Sequence, residues 1–179
     1  MLEDTLLIWK FKSGDGAALA RIYDKYRVPL LRMATGLLNR EHLAEDIVHD
    51  VFLWLARSPK KVRLSGTLRS FLATCVVNRV RNSNRSVRRQ ERNATLAPAF
   101  STSEDSGPEP WLIASERRTR LNAALAELPY EQREVVVLHL QGQAKFREIA
   151  KSQNVSINTV QSRYRYGLEK LRSLLDGEV

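Results

Sequence analysis

The chain has 179 residues, 43% of them hydrophobic, with 8 glycines and 6 prolines, a composition that predicts one or two folded domains and argues against a fibrous or disordered chain. Lysine and arginine outnumber aspartate and glutamate by 29 to 20, and the net charge of +9 favours a polyanionic partner, either nucleic acid or an acidic membrane surface. The single cysteine, Cys75, excludes an internal disulfide, and no apolar run is long enough for a signal peptide or for the ~20 residues of a membrane span, so we expect a soluble cytoplasmic protein without membrane insertion.

Three stretches with helical periodicity follow one another in the amino-terminal half. The first covers residues 17–38, comes after a turn in which Asp15 is a candidate N-cap, and contains Pro29, which predicts a kink or a helix boundary. The second covers residues 44–55, and the third begins after Gly66 and continues into an arginine-rich segment. Because no stretch alternates apolar and polar residues for long, we expect no strands.

Charge is distributed unevenly along the chain. Residues 78–92 carry six arginines and one glutamate, whereas residues 93–116 carry four acidic groups and no basic one. The acidic stretch, "NATLAPAFSTSEDSGPEP", is rich in serine and proline and lacks periodicity, which is typical of a linker. The sequence therefore predicts an all-α fold in which two small helical domains, residues 1–92 and 116–179, are joined by a flexible acidic linker over residues 93–115.

Residues 147–165, "REIAKSQNVSINTVQSRYR", have the pattern of two short helices around a tight turn. Ile149 and Ala150 lie on the inward face of the first helix, and the small alanine lets the second helix approach. Asn154 occupies a position that needs a left-handed backbone, and Ser156 is a good N-cap for the next helix. These features at this spacing predict a helix-turn-helix, the motif whose second helix enters the major groove of DNA.

The outer faces of that second helix carry side chains suited to base edges and phosphates. The candidate DNA contacts are Ser156, Asn158, Thr159, Gln161, Ser162, Arg163 and Arg165. An ordinary helical hairpin with a solvated basic face is the alternative. The motif indicates DNA binding, but it does not indicate which class of DNA-binding protein this is.

Four segments together resemble the extracytoplasmic-function class of bacterial RNA polymerase sigma factors, over almost the whole chain and in the family's order. They are "LARIYDKYRVPLLRMATGLL", "AEDIVHDVFLWLA", "LRSFLATCVVNRVRNSNRSVRR", and "LAELPYEQREVVVLHLQG" followed by the helix-turn-helix. The resemblance implies that the first three form region 2, which binds core polymerase and the −10 promoter element, and that the last forms region 4, which reads the −35 element. It also implies contacts with the coiled coil of the polymerase largest subunit and with the flap. An anti-sigma factor is a further expected partner, since most members of the family are held inactive by one.

The segment "AEDIVHDVFLWLA" places acidic side chains on one side of a helix in an otherwise basic protein. Helical spacing puts Asp46 and Asp50 on one face with Leu53 nearby. Glu45 and His49 fall on the adjoining face. An acidic surface does not suit DNA, and the resemblance makes these five residues the candidate polymerase contact. A merely solvated face stays open as an alternative, and so does a metal site formed by the four polar residues, although the set lacks a second histidine and a recognised spacing.

The arginine-rich segment suits phosphate contacts, whose affinity is electrostatic and depends on salt. By resemblance, this helix and the loop of residues 60–67 bind the −10 element, with Asn78 near the pocket for a flipped base. The candidate −10 contacts are Lys60, Lys61, Arg63, Phe71, Asn78, Arg79, Arg81, Asn82, Arg85, Arg88 and Arg89. Two alternatives stay open: core packing for Phe71, and a solvated charge run for the arginines.

On this interpretation the protein directs core polymerase to promoters and has no catalytic residue, metal or cofactor of its own. The first rival hypothesis is a stand-alone helix-turn-helix regulator that binds palindromic operators without polymerase, although no spare apolar face for dimerisation is visible in the sequence. The second is a metal-dependent nuclease that uses the acidic segment, although three scattered histidines and one cysteine supply few ligands.

Overall fold

The computed structural model describes residues 2–38, 41–64, 66–93 and 109–177, and every regular element in these ranges is helical. The all-α prediction is therefore confirmed. The α-helices are α1 (Leu2–Lys12), α2 (Gly16–Leu38), α3 (Glu41–Arg57), α4 (Leu68–Asn93), α5 (Glu109–Ala126), α6 (Tyr130–Leu140), α7 (Phe146–Gln153) and α8 (Ile157–Asp176), with a short 3-10 turn at Pro59–Lys61. In the described part of the chain, no helix has the length and apolar character needed to cross a bilayer.

Helix α2 is the centre of the amino-terminal domain, which comprises α1–α4. Its stripe of Ile22, Leu30 and Met33 is almost fully buried against α3 and α4. The helix continues through Pro29, so of the two alternatives predicted for this proline, a kink or a boundary, the boundary is excluded. The Asp15 cap is confirmed, because its carboxylate accepts a hydrogen bond from the backbone N–H of Ala17 at 2.9 Å.

Helix α1 has no counterpart in the sequence prediction, which assigned no element to the first residues. It packs on α2 through the buried side chains of Leu7, Ile8 and Phe11. Its first turn is attached by Asp4, whose carboxylate accepts hydrogen bonds from the Lys25 ammonium at 2.8 Å and the Tyr26 hydroxyl at 2.9 Å. Burial raises the pKa of the Asp4 carboxyl, but these two hydrogen bonds outweigh it, so the pKa lies below its usual value.

The carboxyl-terminal domain, α5–α8, is built around the apolar run of α6. Val135, Val137 and Leu138 are 1% exposed or less, because α6 lies between α8 and the amino-terminal domain. Gly167 permits the close approach of α8 to α6, since a Cβ at this position would lie 2.9 Å from a methyl group of Val136.

The two domains contact each other through α2 and α4 on one side and α5 and α6 on the other. The Arg133 guanidinium donates a hydrogen bond to the carbonyl of Leu37 at 3.1 Å, and the Arg69 guanidinium donates one to the carbonyl of Gln141 at 2.7 Å. Helix α5 begins seven residues before the predicted start of the second domain at residue 116. Residues 94–108 of the predicted linker lie outside the described residues.

Candidate nucleic-acid and protein interfaces

The acidic segment forms the outer face of α3. Glu45, Asp46, His49 and Asp50 are exposed, and Leu53 is 37% exposed beside them. Between this face and α2 lies a groove lined by Tyr23, Arg27, Leu31, Glu45, Asp46, Val48 and His49. The groove thus combines two carboxylates with the Arg27 guanidinium, which lies 5.9 Å from the Tyr23 ring centre, and with aliphatic side chains. Within the described ranges, no three His, Cys, Asp or Glu side chains are grouped as the ligands of a metal ion would be.

Asp50 is engaged in a contact that its spacing on α3 does not reveal. Its carboxylate accepts a hydrogen bond from the Arg79 guanidinium of α4, with 2.6 Å between Oδ2 and Nη1, and its carbonyl accepts a second at 3.3 Å. A residue predicted to bind protein and one predicted to bind DNA therefore form an ion pair with each other. Asp46, one helical turn earlier, points away from the core and is exposed.

The predicted −10 loop is anchored by one apolar residue between exposed cations. Val62 is fully buried, while Lys60, Lys61 and Arg63 on either side are exposed. Phe71, in the first turns of α4, is partly buried and packs on Trp54, with 6.4 Å between ring centroids. This packing corresponds to the structural alternative that the sequence left open for Phe71.

Beyond the loop, α4 displays its polar residues along one exposed side. Asn78, Asn82 and Arg85 are exposed. The side chains of Arg88 and Arg89 lie outside the described residues, although α4 itself extends to Asn93. Cys75 on this helix is partly buried, and burial raises the pKa of its thiol to about 11, so the thiol is protonated at neutral pH.

Arg81 of α4 points into the carboxyl-terminal domain rather than into solvent. Its guanidinium forms a bidentate ion pair with Glu134 of α6, in which Nε donates to Oε2 at 2.8 Å and Nη2 donates to Oε1. Nη1 donates to the carbonyl of Ser152 at 2.8 Å. Hydrogen bonding to the Glu134 carboxylate raises the pKa of the Arg81 guanidinium, and the Glu134 side chain is only 2% exposed.

The helix-turn-helix has the predicted geometry. Asn154 adopts φ 54° and ψ 47°, the left-handed conformation that ends α7, and the N–H of Val155 donates back to the carbonyl of Ala150 at 3.1 Å. Ser156 caps α8, because its hydroxyl accepts a hydrogen bond from the N–H of Thr159 at 3.1 Å. Ile149 and Ala150 are buried, as their inward position requires. The predicted motif is confirmed.

Most candidate −35 residues lie on the open side of α8. Ser156, Asn158, Gln161, Ser162 and Arg165 are exposed, and Thr159 is partly buried behind the cap. Arg163 differs from them, because it is partly buried and donates a hydrogen bond to Gln153 of α7, with 2.6 Å between Nη1 and Oε1. Arg163 therefore fixes α8 against α7 in this structure.

Two further exposed side chains on α8, an isoleucine and a tyrosine, are absent from the sequence prediction. Ile157, the first residue of the helix, is 42% exposed, and Tyr166 is 51% exposed with the Arg165 guanidinium 4.9 Å from its ring centre. At 100° per residue, Ile157 lies at the edge between the buried stripe of Val160 and the open face of Gln161. Spacing alone therefore could not assign it to either.

Two family models match the chain. The model for Sigma-70 region 2 matches residues 22–92, and the model for Sigma-70 region 4 matches residues 118–171. Among curated relatives, the RNA polymerase sigma factor CarQ of Myxococcus xanthus is 28% identical over 170 residues, which cover 93% of this chain and 94% of CarQ. The extracytoplasmic-function sigma factor SigK of Mycobacterium tuberculosis (strain H37Rv) is 25% identical over 177 residues, which cover 95% and 92% of the two chains.

Solved structures of similar fold cover nearly the whole chain. CnrH, solved in complex with the cytosolic domain of CnrY, matches 99% of both chains with a TM-score of 0.71 and 22% identity. The sigma factor RpoE of Bartonella quintana, solved with the anti-sigma factor NepR, matches 89% of this chain and 99% of its own with a TM-score of 0.65 and 19% identity. The chain therefore belongs to the extracytoplasmic-function class of the sigma-70 family, whose members direct RNA polymerase to promoters.

Proposed function

We propose that three surfaces divide the work of promoter-directed initiation in this protein. The acidic face of α3 binds core RNA polymerase, the 60–67 loop and α4 bind the −10 element, and α8 binds the −35 element. The domain with the first two surfaces ends at about residue 92 and the domain with the third begins at about residue 116, with residues 93–115 as the tether. The chain supplies no catalytic group, so the chemistry belongs to the polymerase.

The open face of α8 is the observation that carries the proposal. Asn158, Gln161 and Arg165 are exposed at successive turns of one helix whose amino terminus is fixed by the Ser156 cap. Amide and guanidinium groups at such positions form paired hydrogen bonds with adenine and guanine edges in the major groove. A solvated hairpin would not need these groups in a row beside the first turn.

The acidic face of α3 supports a protein partner. Exposed carboxylates at Glu45 and Asp46 would repel phosphates, and the adjoining groove offers the aromatic ring of Tyr23 and the side chain of Leu31 to an apolar group. We assign this surface to the coiled coil of the largest subunit and assign the flap to the carboxyl-terminal domain, with the resemblance as support. An anti-sigma factor is also proposed as a partner, since the RpoE structure contains one.

Transcription in vitro tests the proposal directly. Purified protein is added to sigma-free core polymerase on a pool of random promoters, and the transcripts are sequenced. We expect transcripts that start downstream of two shared elements, one near −35 and one near −10. A stand-alone regulator would instead select a palindrome in the absence of polymerase and leave the core enzyme silent, which would contradict the proposal.

Ile157 adds a prediction about the −35 element. An exposed isoleucine at the amino end of a reading helix suits the C5-methyl group of thymine, the one apolar group in the major groove. We expect replacement of one −35 thymine by uracil to weaken binding about fourfold, the effect of one buried methyl group. In Ile157→Ala the same replacement should have no effect, whereas Ile157→Val should keep the sensitivity. Equal losses in wild type and Ile157→Ala at every thymine would contradict the contact.

A further inference from the structure

The carboxyl-terminal domain covers part of the surface that we assign to the −10 element. Arg81 of α4 is held by Glu134 of α6 and by the carbonyl of Ser152 in α7. Gly66, at the end of the loop, lies beside α7, because a Cβ there would collide with the Glu148 carboxylate. Arg81 therefore faces the first helix of the helix-turn-helix, and one end of the loop lies beside that helix, while Lys60 and Lys61 stay exposed.

A chain of hydrogen bonds joins the two candidate DNA-binding surfaces. The Asn78 side chain accepts from Arg81 at 3.3 Å, and Arg81 pairs with Glu134. The Glu134 carboxylate also accepts from the Gln153 amide at 2.8 Å, and the Gln153 oxygen accepts from Arg163 at 2.6 Å. Arg81 thus binds the buried Glu134 carboxylate directly, and Arg163 is connected to the same carboxylate through the Gln153 side chain.

From these contacts we infer that the free protein inhibits its own −10 binding: the carboxyl-terminal domain closes over Arg81 of α4, and the Glu134 carboxylate takes the place of a DNA phosphate on its guanidinium. Carboxylate and phosphate are interchangeable partners for a guanidinium, since both accept two parallel N–H bonds. Domain separation exposes Arg81 and places its guanidinium beside Asn78 and the loop cations, which are already exposed. The inference rests on the proposed assignment of α4 to −10 DNA.

The consequence is quantitative. If only a fraction of molecules is open, the apparent dissociation constant for −10 DNA is the intrinsic one divided by that fraction. A substitution that opens the protein without touching a DNA-binding residue must therefore tighten single-strand binding. Glu134 is unsuitable for this test, because it also bonds to Gln153 inside the carboxyl-terminal domain.

Gly36 of α2 is the suitable position. It is buried, and the atoms within 4 Å of a Cβ built there belong to α5: Leu125 Cδ1 at 3.2 Å and Asn122 Oδ1 at 3.7 Å. A large side chain at this position therefore acts at the contact between α2 of one domain and α5 of the other. Gly36→Glu provides the bulk and adds a negative charge, so that tighter DNA binding cannot be attributed to added positive charge.

Gly36→Ala is the matched control, because its single methyl group meets only the flexible ends of the Leu125 and Asn122 side chains. Full-length variants are compared by small-angle X-ray scattering and by fluorescence anisotropy with a labelled random single strand of about 12 nucleotides, which samples phosphate contacts without requiring a known promoter. We expect Gly36→Glu to increase the radius of gyration and to bind roughly tenfold more tightly. Gly36→Ala should match the wild type.

Arg69→Ala is a second variant that guards against misfolding. It removes the hydrogen bond to the Gln141 carbonyl without adding bulk. We expect its radius of gyration and its affinity for the single strand to increase as well, but by less than in Gly36→Glu. Expansion of either variant without tighter binding would overturn the inference, as would a wild type already as expanded as Gly36→Glu. Failure of the proposed function would give a different result. The wild type would then produce no promoter-dependent transcripts with core polymerase, whether its two domains are in contact or separated.

Discussion

Reversal of one charge at Asp46 should remove promoter-dependent transcription almost completely. We expect Asp46→Arg to weaken binding to core RNA polymerase about 100-fold or more, because a carboxylate that we assign to the polymerase interface would be replaced by a positive charge. The fold should survive, since Asp46 is exposed on α3 and lies outside the buried stripe of Val48 and Val51. Retention of the variant on immobilised core polymerase measures the effect, and transcription from a selected promoter gives the second readout.

Asp46 is a better target than Asp50 for this test. Asp50 pairs with Arg79, so its reversal would also disturb a residue that we assign to −10 DNA. Asp176→Arg, at the exposed end of α8, makes the same change in net charge far from α3 and is the control. If Asp46→Arg binds core polymerase as tightly as the wild type does, the assignment of the acidic face of α3 is contradicted.

The helix-turn-helix could be predicted from the sequence because its determinants are local. Asn154 and Ser156 act on backbone groups within a few residues of themselves, and the stripe through Val160 needs only helical periodicity. The acidic face of α3 is local in the same sense, since one helix carries all of its members. A pattern confined to one element is visible without knowledge of the element's neighbours.

Other features depend on residues far apart in the chain and could not be predicted in this way. Helix α1 lacks a helical stripe, because Leu6, Leu7, Ile8 and Trp9 follow one another, and only its position against α2 decides which of them are buried: Trp9 is 64% exposed and Ile8 is 6% exposed. Arg81 and Glu134 are 53 residues apart. The sequence predicts a −10 contact for Arg81 and no role for Glu134, and their pairing follows only from the contact between the domains.

Substitution of Arg81 should therefore have two opposite effects on DNA binding, because it opens the protein and also removes a phosphate contact. Arg81→Ala removes the only cation that the structure gives the Glu134 carboxylate within the described residues, and with it the bond to Ser152. Loss of one partner of a buried ion pair costs about 3–5 kcal/mol. The cost falls on the closed arrangement, because water solvates Glu134 once the domains separate. We expect the radius of gyration to increase as it does in Gly36→Glu.

The affinity for single-stranded DNA should distinguish Arg81→Ala from Gly36→Glu. Gly36→Glu opens the protein and keeps Arg81, whereas Arg81→Ala opens it and loses a phosphate contact, so its affinity for the single strand should be about tenfold lower than that of Gly36→Glu. The slope of log affinity against log salt concentration should also be shallower in Arg81→Ala than in Gly36→Glu by about 0.7, the value for one phosphate on a single strand. Equal affinities and equal salt slopes in the two open proteins would mean that Arg81 holds the domains together and does not touch DNA. A compact Arg81→Ala would mean that the remaining contacts of Arg69 and Arg133 suffice for closure.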